Sequence, residues 1–359
     1  MKILIDIGHP AHVHLFKHFA WEMQKKNHRV FFTCREKENV IYFLKKYGFD
    51  YLSFGRKYSS LTGKAWGLLK FDYLETLTGI KFKPDILLSH GSMYAAHAAF
   101  ILGKPHISLE DTFNFEQIKL YKPFTRTILT ADYEHPLRSE KVIKYRGYHE
   151  LAYLHPHRFT PDPSIINTLG LNKNDKYVIL RFVAWQASHD SGHQGISLEN
   201  KKKAIEFFKK YARVFISSEK ELPDELKTYK IQIDPDKMHD AIAFASLLFS
   251  ESGTMAAEAA VLGVPSIYID STSRLYTKEL GNKYGLTFNF SENDEDQERA
   301  IRKSLIVLGK CDKNEFNKRR QIMLNDKIDV TAFMVWFIEN YPQSREMVED
   351  TEEFWGRFR

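Results

Sequence analysis

Cysteine is nearly absent from this chain: Cys34 and Cys311 are the only two in 359 residues. They lie far apart and in no metal-binding spacing. That excludes a disulfide framework and a cysteine-based zinc site, and it suits a reducing compartment. Long apolar runs are missing as well. No uninterrupted hydrophobic stretch reaches transmembrane length, and MKILIDIGHP leads straight into a strand with no signal-peptide pattern. The expectation is a cytoplasmic protein, soluble or at most peripheral at the inner face of the membrane. A strong charge of one sign is also lacking, since 52 Lys and Arg stand against 46 Asp and Glu, a net of +6. That balance is too mild to argue for nucleic acid, and none is expected as a partner; it suits anionic ligands or an anionic membrane surface.

What the chain does have is apolar bulk. Hydrophobic residues make up 43% and aromatics 14%, enough for two buried cores in a chain longer than one core comfortably fills. Short apolar runs alternate with amphipathic ones. Strands are expected at 2–7, 29–33, 85–89, 106–109 and 127–130, with helices at 12–26, 36–47 and 93–102. A Pro- and His-rich linker, HPHRFTPDPS, follows at 155–164. The rhythm then restarts, with strands at 177–182, 213–217, 230–233, 246–250 and 266–270 and helices around 198–211, 237–245 and 255–262. Strands alternating with helices predict doubly wound parallel sheets. The expected domains are 1–157 and 158–329, and the helical tail 330–359 either finishes the second or crosses back onto the first.

Two segments echo one another at an offset of 160 positions. In HGSMYAAHAAFILGKPHISL and SESGTMAAEAAVLGVPSIYID, Ser92 meets Ser252, Leu102-Gly103 meets Leu262-Gly263 and Pro105 meets Pro265. Each reads as a small-residue loop, an Ala-rich helix, a Gly C-cap and a strand. The difference is Glu258, which stands opposite Ala98. Ser252, Gly253 and Thr254 fall where a strand hands over to a helix, a place where hydroxyls, free N–H groups and the helix dipole favour phosphate oxygens. Glu258, one turn on, is placed to accept the vicinal hydroxyls of a ribose. The plainer alternative makes Ser252 an N-cap and Glu258 a solvated helix residue.

Further chemistry is concentrated in three places. DIGHPAHVHLFKH puts Gly8 and His9 in a loop and His12 at a helix start, where the positive end of the dipole favours a neutral imidazole, available as base or donor; the alternative is that His12 caps the helix. His14 and His18 have metal-like i, i+4 spacing but no acidic or cysteine partner nearby, and no metal is expected. In SLEDTFNF, Glu110 and Asp111 point opposite ways on an extended chain, so that one carboxylate faces the site and the other caps or faces solvent. Glu110 is the candidate partner for His12 or for a sugar hydroxyl; the alternative is an N-cap arrangement around Asp111 and Thr112. Arg181, where the strand VILRF ends, is a candidate cation for a diphosphate, and the following AWQASHDSGHQG, with His189 and His193, has the composition of a flexible binding loop. Finally, residues 56–83 interleave six basic residues with Trp66, Phe71, Tyr73 and Phe82. That pattern suits an anionic lipid surface, or a solvated face over a core stripe.

Together and in order, these pieces resemble the GT-B glycosyltransferase and nucleotide-sugar epimerase superfamily, and within it an archaeal and bacterial group catalogued as a domain of unknown function. Gly8–His14 is similar to the G-x-x-x-H-V loop of the lipid II-forming N-acetylglucosaminyltransferase, and LGKPHISLEDTFN to its L-G-I-P-V-V-x-H-E-Q-N. IDPDKMHDAIAFASLLFSESGTMAAEAAVLGVP resembles its donor half. The resemblance implies two Rossmann-like domains facing across a cleft. His12 and Glu110 would be catalytic, with Gly8, His9 and Ser92 on the acceptor side. Met238 and His239 would lie beside uracil, Ser252–Thr254 at the diphosphate with Arg181 in support, and Glu258 at the ribose. The implied reaction moves a sugar from a nucleotide donor, UDP-linked, to a glycan or lipid-linked acceptor in surface polysaccharide or glycoconjugate synthesis, without a metal or other cofactor. The spacing from Ser252 through Glu258 to Gly263 is also that of the non-hydrolysing UDP-N-acetylglucosamine 2-epimerases. Unlike them, the chain has Ser92 in place of an Asp and LRFVAWQ in place of H-R-R-E-N. The transferase's glycine-rich phosphate loop is missing too. An epimerase and a non-catalytic nucleotide-sugar binding protein are the alternatives.

Overall fold

The β-branched runs assemble into two separate parallel sheets. The computed structural model describes residues 1–359 apart from 57, 59, 184–194, 273, 311 and 312 and the side chains of 61 and 64. His189, His193 and Cys311 therefore lie outside the described residues. The first unit comprises Met1–Tyr153 and Lys327–Arg359, the second Leu154–Asp326.

In the first unit the strands are β1 (Lys2–Ile7), β2 (Arg29–Glu36), β3 (Tyr51–Arg56), β4 (Ile86–His90), β5 (His106–Glu110), β6 (Thr127–Ala131) and β7 (Val142–Tyr145), in the order β3-β2-β1-β4-β5-β6-β7. The helices α1 (Pro10–Lys25), α2 (Val40–Lys46), α3 (Leu61–Phe82), α4 (Met93–Ile101) and α5 (Phe115–Tyr121) alternate with them. The second unit holds β8 (Tyr177–Phe182), β9 (Arg213–Ser218), β10 (Leu247–Ser250), β11 (Ser266–Ile269) and β12 (Thr287–Phe290), in the order β12-β11-β10-β8-β9. Every pairing in both sheets is parallel. This is the two-domain α/β architecture of the GT-B class. Strand order reverses between β1 and β4 in one sheet and between β8 and β10 in the other. At such switch points the loops at the carboxyl ends part and leave room for ligands.

Three strands were not legible in the sequence: β3, β7 and β12. All three are sheet edges, where one side of the strand is unpaired and the apolar signal is thin. The strand expected at 230–233 does not form. The chain there leaves a 3₁₀ turn (Asp224–Tyr229) and touches β9 only through one bridge, Ile216 to Lys230.

The helix Val330–Glu339 packs on α1, with Glu339 ion-paired to Lys26 at 2.6 Å and within 3.3 Å of His28. Phe333 and Trp336 from that helix cluster with Phe354, Trp355 and Phe358, so the EEFWGRFR tail is a lid of aromatic rings on the first unit. Helix α3 buries Phe71 and Glu75 and turns Trp66, Leu69, Tyr73 and Ile80 to solvent, each more than half exposed.

One buried residue ties stability to pH. His106, at the start of β5, is held between Ser89 Oγ (2.9 Å) and Thr125 Oγ1 (2.8 Å). Burial, helped by His97, lowers its pKa from an ordinary 6.5 to about 3. The unfolded chain takes a proton near 6.5 while the native state refuses it, so this share of stability is intact at neutral pH and drains as pH falls from 6.5 toward 3. Urea unfolding of wild type and His106→Gln at pH 7.5 and pH 5 should show a smaller acid-induced loss in the variant.

Candidate functional site

In the first unit the loops after β1 and β4 adjoin at the switch point. Pro10 opens α1, His9 is its N-cap, and His9 Nδ1 accepts the Ala11 N–H at 3.2 Å. Capping is thus done by His9 and not by His12. His12 instead bonds back to its own loop, its Nδ1 accepting the Gly8 N–H at 3.3 Å. Space at Gly8 is tight: a Cβ there would stand 3.2 Å from the Arg35 guanidinium and 3.8 Å from the His12 ring. The ring of His12 lies 4.5 Å from that of His90, the last residue of β4.

His90 leads to the carboxylate of this site. Its Nε2 is 2.9 Å from Asp111 Oδ1, and His149 Nδ1 is 3.0 Å from Asp111 Oδ2. Burial resists ionisation of Asp111, but His149 and His90 override it and hold the pKa well below the carboxylate range. The same balance works in reverse on His90. Burial disfavours its proton, yet Asp111 wins and raises the pKa. His90 Nε2, Asp111 and His149 Nδ1 lie within 4.8 Å of one another, a donor set that a divalent ion would accept, although each contact already serves as a hydrogen bond. His14 and His18 form no comparable set. His14 is buried against Phe43 and Tyr153, and His18 lies edge-on to Trp21.

Glu110 is engaged within its own turn. It is buried, and it accepts the Thr112 N–H (2.9 Å), the Phe113 N–H (2.8 Å) and the Tyr121 hydroxyl (2.6 Å). Glu110 staples the turn in which Phe113 takes a φ of +54°, and Asp111 is the acid that reaches the histidines. Ser92 is structural as well: it caps α4 by accepting the Ala95 N–H at 3.3 Å and donates its hydroxyl to Asp6.

In the second unit the helix Gly253–Val261 begins just after β10. Ser252 is its N-cap, accepting the Met255 N–H at 3.3 Å, while Thr254 sits in the first turn, half-buried. Glu258 is not solvated. It is buried with Oε1 2.9 Å from His239 Nε2, on the helix Met238–Phe244 that Met238 opens. Gly253 is required by crowding, since a Cβ would meet Tyr276 Oη at 2.8 Å, Arg274 Cγ at 2.9 Å and Tyr268 Oη at 3.1 Å. Arg274, a cation the sequence did not single out, therefore leans over the helix start. Arg181, expected there, is committed elsewhere: it donates to Ser217 Oγ (3.0 Å) and Glu219 Oε1 (2.5 Å). Glu251, also unnoticed, accepts the N–H groups of Val183 and Ile196 at 2.7 Å each and lies 3.2 Å from Lys201.

Comparison with known proteins agrees with this architecture. Residues 1–337 match the family described as "Protein of unknown function (DUF354)". An uncharacterised protein of Methanocaldococcus jannaschii, MJ0665, is 24% identical over 287 residues, 74% of this chain and 81% of its own. The Neisseria meningitidis UDP-GlcNAc 2-epimerase, solved bound to UDP-GlcNAc, superposes with a TM-score of 0.65 at 15% identity, covering 94% of this chain and 100% of its own. The glycosyltransferase VinC, solved with dTDP, gives 0.61 at 11% identity, covering 97% and 100%. At such identities the likeness is one of fold.

The histidine–aspartate cluster has a direct test. Because Asp111 is what raises His90, Asp111→Asn should lower the His90 midpoint in an NMR pH titration. In wild type, the share of stability from protonated His90 is present below its unfolded pKa and lost as pH rises through the higher native value; the variant should lack that alkaline loss. An unmoved His90 midpoint would refute the coupling.

Proposed function

The chain belongs to the DUF354 family, and we propose that it transfers a sugar from a nucleotide donor, with UDP as the nucleotide, to a glycan or lipid-linked acceptor. The observation that carries the donor half is the pairing of buried Glu258 with His239 one turn beyond a helix N-terminus crowded by Arg274. A buried carboxylate oriented by a neighbouring imidazole is an acceptor suited to two vicinal hydroxyls. The free N–H groups at the start of the Gly253–Val261 helix, the Thr254 hydroxyl and the Arg274 guanidinium receive the diphosphate. They also stabilise the charge that grows as the nucleoside diphosphate departs, so we assign no metal to this step. Arg274 replaces Arg181 in this role, and Met238 is assigned to the base.

On the acceptor side we assign His12. With the Gly8 N–H on Nδ1, the neutral ring carries its proton on Nε2 and donates to an acceptor oxygen. Rotation of the ring releases Gly8 and turns the unprotonated nitrogen outward, where it takes the hydroxyl proton. An epimerase needs acid and base on a single carbon. Ser92, whose hydroxyl is spent on Asp6 and on capping α4, supplies neither.

Glu258→Ala should weaken UDP binding by roughly 1–3 kcal/mol, the usual loss for a charged hydrogen bond, read by calorimetry; unchanged affinity would sink the ribose assignment. His12→Gln should leave UDP affinity alone and cost on the order of 10²–10⁴ in turnover. Release of UDP only with an acceptor, beyond slow hydrolysis, identifies the transferase. A new sugar isomer from UDP-sugar alone would mean an epimerase, and a thermal shift without turnover a binding protein.

A further inference from the structure

At the amino ends of β5, β6 and β7, opposite the end that carries His90, Glu110 and Asp111, the first unit has a recess of about 550 Å³ lined by Lys104, Arg126, Lys141 and Arg345. No acidic residue lines it, and none of the four cations has an ion-pair partner among the described residues. Lys141 Nζ donates only to the carbonyls of Lys122 (2.9 Å) and Pro123 (3.2 Å), and Arg345 reaches the Glu140 carbonyl at 3.5 Å with its buried Nε unbonded. Burial, then Arg126 and Lys122, hold the Lys141 ammonium below its ordinary pKa, with Glu140 opposing. Unneutralised cations converging on one hollow form a site for an anion.

The recess borders an apolar surface. Phe100 lines it and lies edge-on to Phe124 at 5.2 Å, yet Phe100 and the adjacent Ile101 are about two-thirds exposed. Helix α3 runs alongside α4, matched at Phe71–Tyr94, at Asp72–His97, and at Gly79, where a Cβ would collide with the Leu102 side chain. Its exposed Trp66, Leu69, Tyr73 and Ile80 recur at steps of three, four and seven, one face about 21 Å long. The acids of α3 do not interrupt that face, because Asp72 is turned to His97 at 3.0 Å and Glu75 is buried.

We propose that this end of the first unit seats on an anionic bilayer, with the recess taking the phosphate of a lipid headgroup while Ile80, Phe100 and Ile101, at the ends of α3 and α4 nearest the recess, enter the interface. The exposed apolar side chains beside the cations favour a lipid over a soluble anion: aromatic and aliphatic groups next to Lys and Arg match the boundary between acyl chains and headgroups. The proposal does not rest on the transferase assignment, because it uses none of the residues at the carboxyl ends of the strands.

The test is co-sedimentation of the full chain with phosphatidylcholine vesicles, with and without phosphatidylglycerol. Binding should require phosphatidylglycerol and weaken with salt. Lys104→Glu with Arg126→Glu should reduce partitioning by roughly tenfold or more, and Phe100→Ser with Ile101→Ser should also reduce it. Unchanged melting temperatures and UDP affinity in the variants would show an intact fold and keep the outcome separate from that of the donor site. Equal binding to both vesicles, no binding, or wild-type partitioning by the charge variants would overturn the proposal. So would saturable binding of inorganic phosphate or an oligonucleotide without vesicle binding.

Discussion

The first unit depends on one buried ion pair. Asp6, near the end of β1, binds Arg35 of β2, accepts the Thr33 hydroxyl at 3.2 Å and receives the Ser92 hydroxyl at the cap of α4. Both charged groups are about 2% exposed or less. Removing one partner of such a pair strands the other charge at a cost of about 3–5 kcal/mol. The arrangement therefore pins β1, β2 and α4 in one geometry. The anion of Glu75, also buried, is disfavoured: burial, then Asp6, pushes its pKa well above the usual range. The Tyr94 ring closes over the guanidinium at 5.0 Å. Because Arg35 also presses under Gly8, this pair sets the height of the loop that carries His9 and His12, and through Ser92 that of the loop after His90.

The second unit solves the same problem with Glu251. Burial raises its pKa, but Lys201 and two backbone N–H groups act to keep it charged, joining the end of β8 to Ile196 and the loop after β10. Each unit thus places a buried carboxylate beneath the switch point of its sheet, where unsatisfied N–H groups and opened loops would otherwise be most costly.

The internal echo acquires a physical meaning from this. Ser92 and Ser252 are both N-caps, and Gly103 and Gly263 both take the left-handed conformation, with φ of 64° and 80°. Those shared residues are scaffold. Ala98 and Glu258 are both buried, but one fills space and the other binds an imidazole. A carboxylate inserted at a buried scaffold position must find a partner, and His239 is that partner.

Local pattern determined much of this protein. Periodicity and cap residues placed the interior strands, the Ala-rich helices and the loops at both switch points, because buried parallel strands and Gly or Ser termini leave strong short-range signals. Of the four edge strands only β9 was legible; β3, β7 and β12 stayed hidden because much of their contact is with solvent. The adjacency of Glu110 and Asp111 announced two carboxylates with opposite directions, but which one faced the histidines was decided by Tyr121 and by a turn with positive φ. Arg181 ended its strand as expected and was then claimed by Glu219, while Arg274, undistinguished in sequence, arrived over Gly253. His149 follows an edge strand and carries no local signal. Its pairing with His90 through Asp111 joins residues up to 59 positions apart. Chemistry in such a site is set by long-range contact, and contact between distant segments is a property of the folded chain.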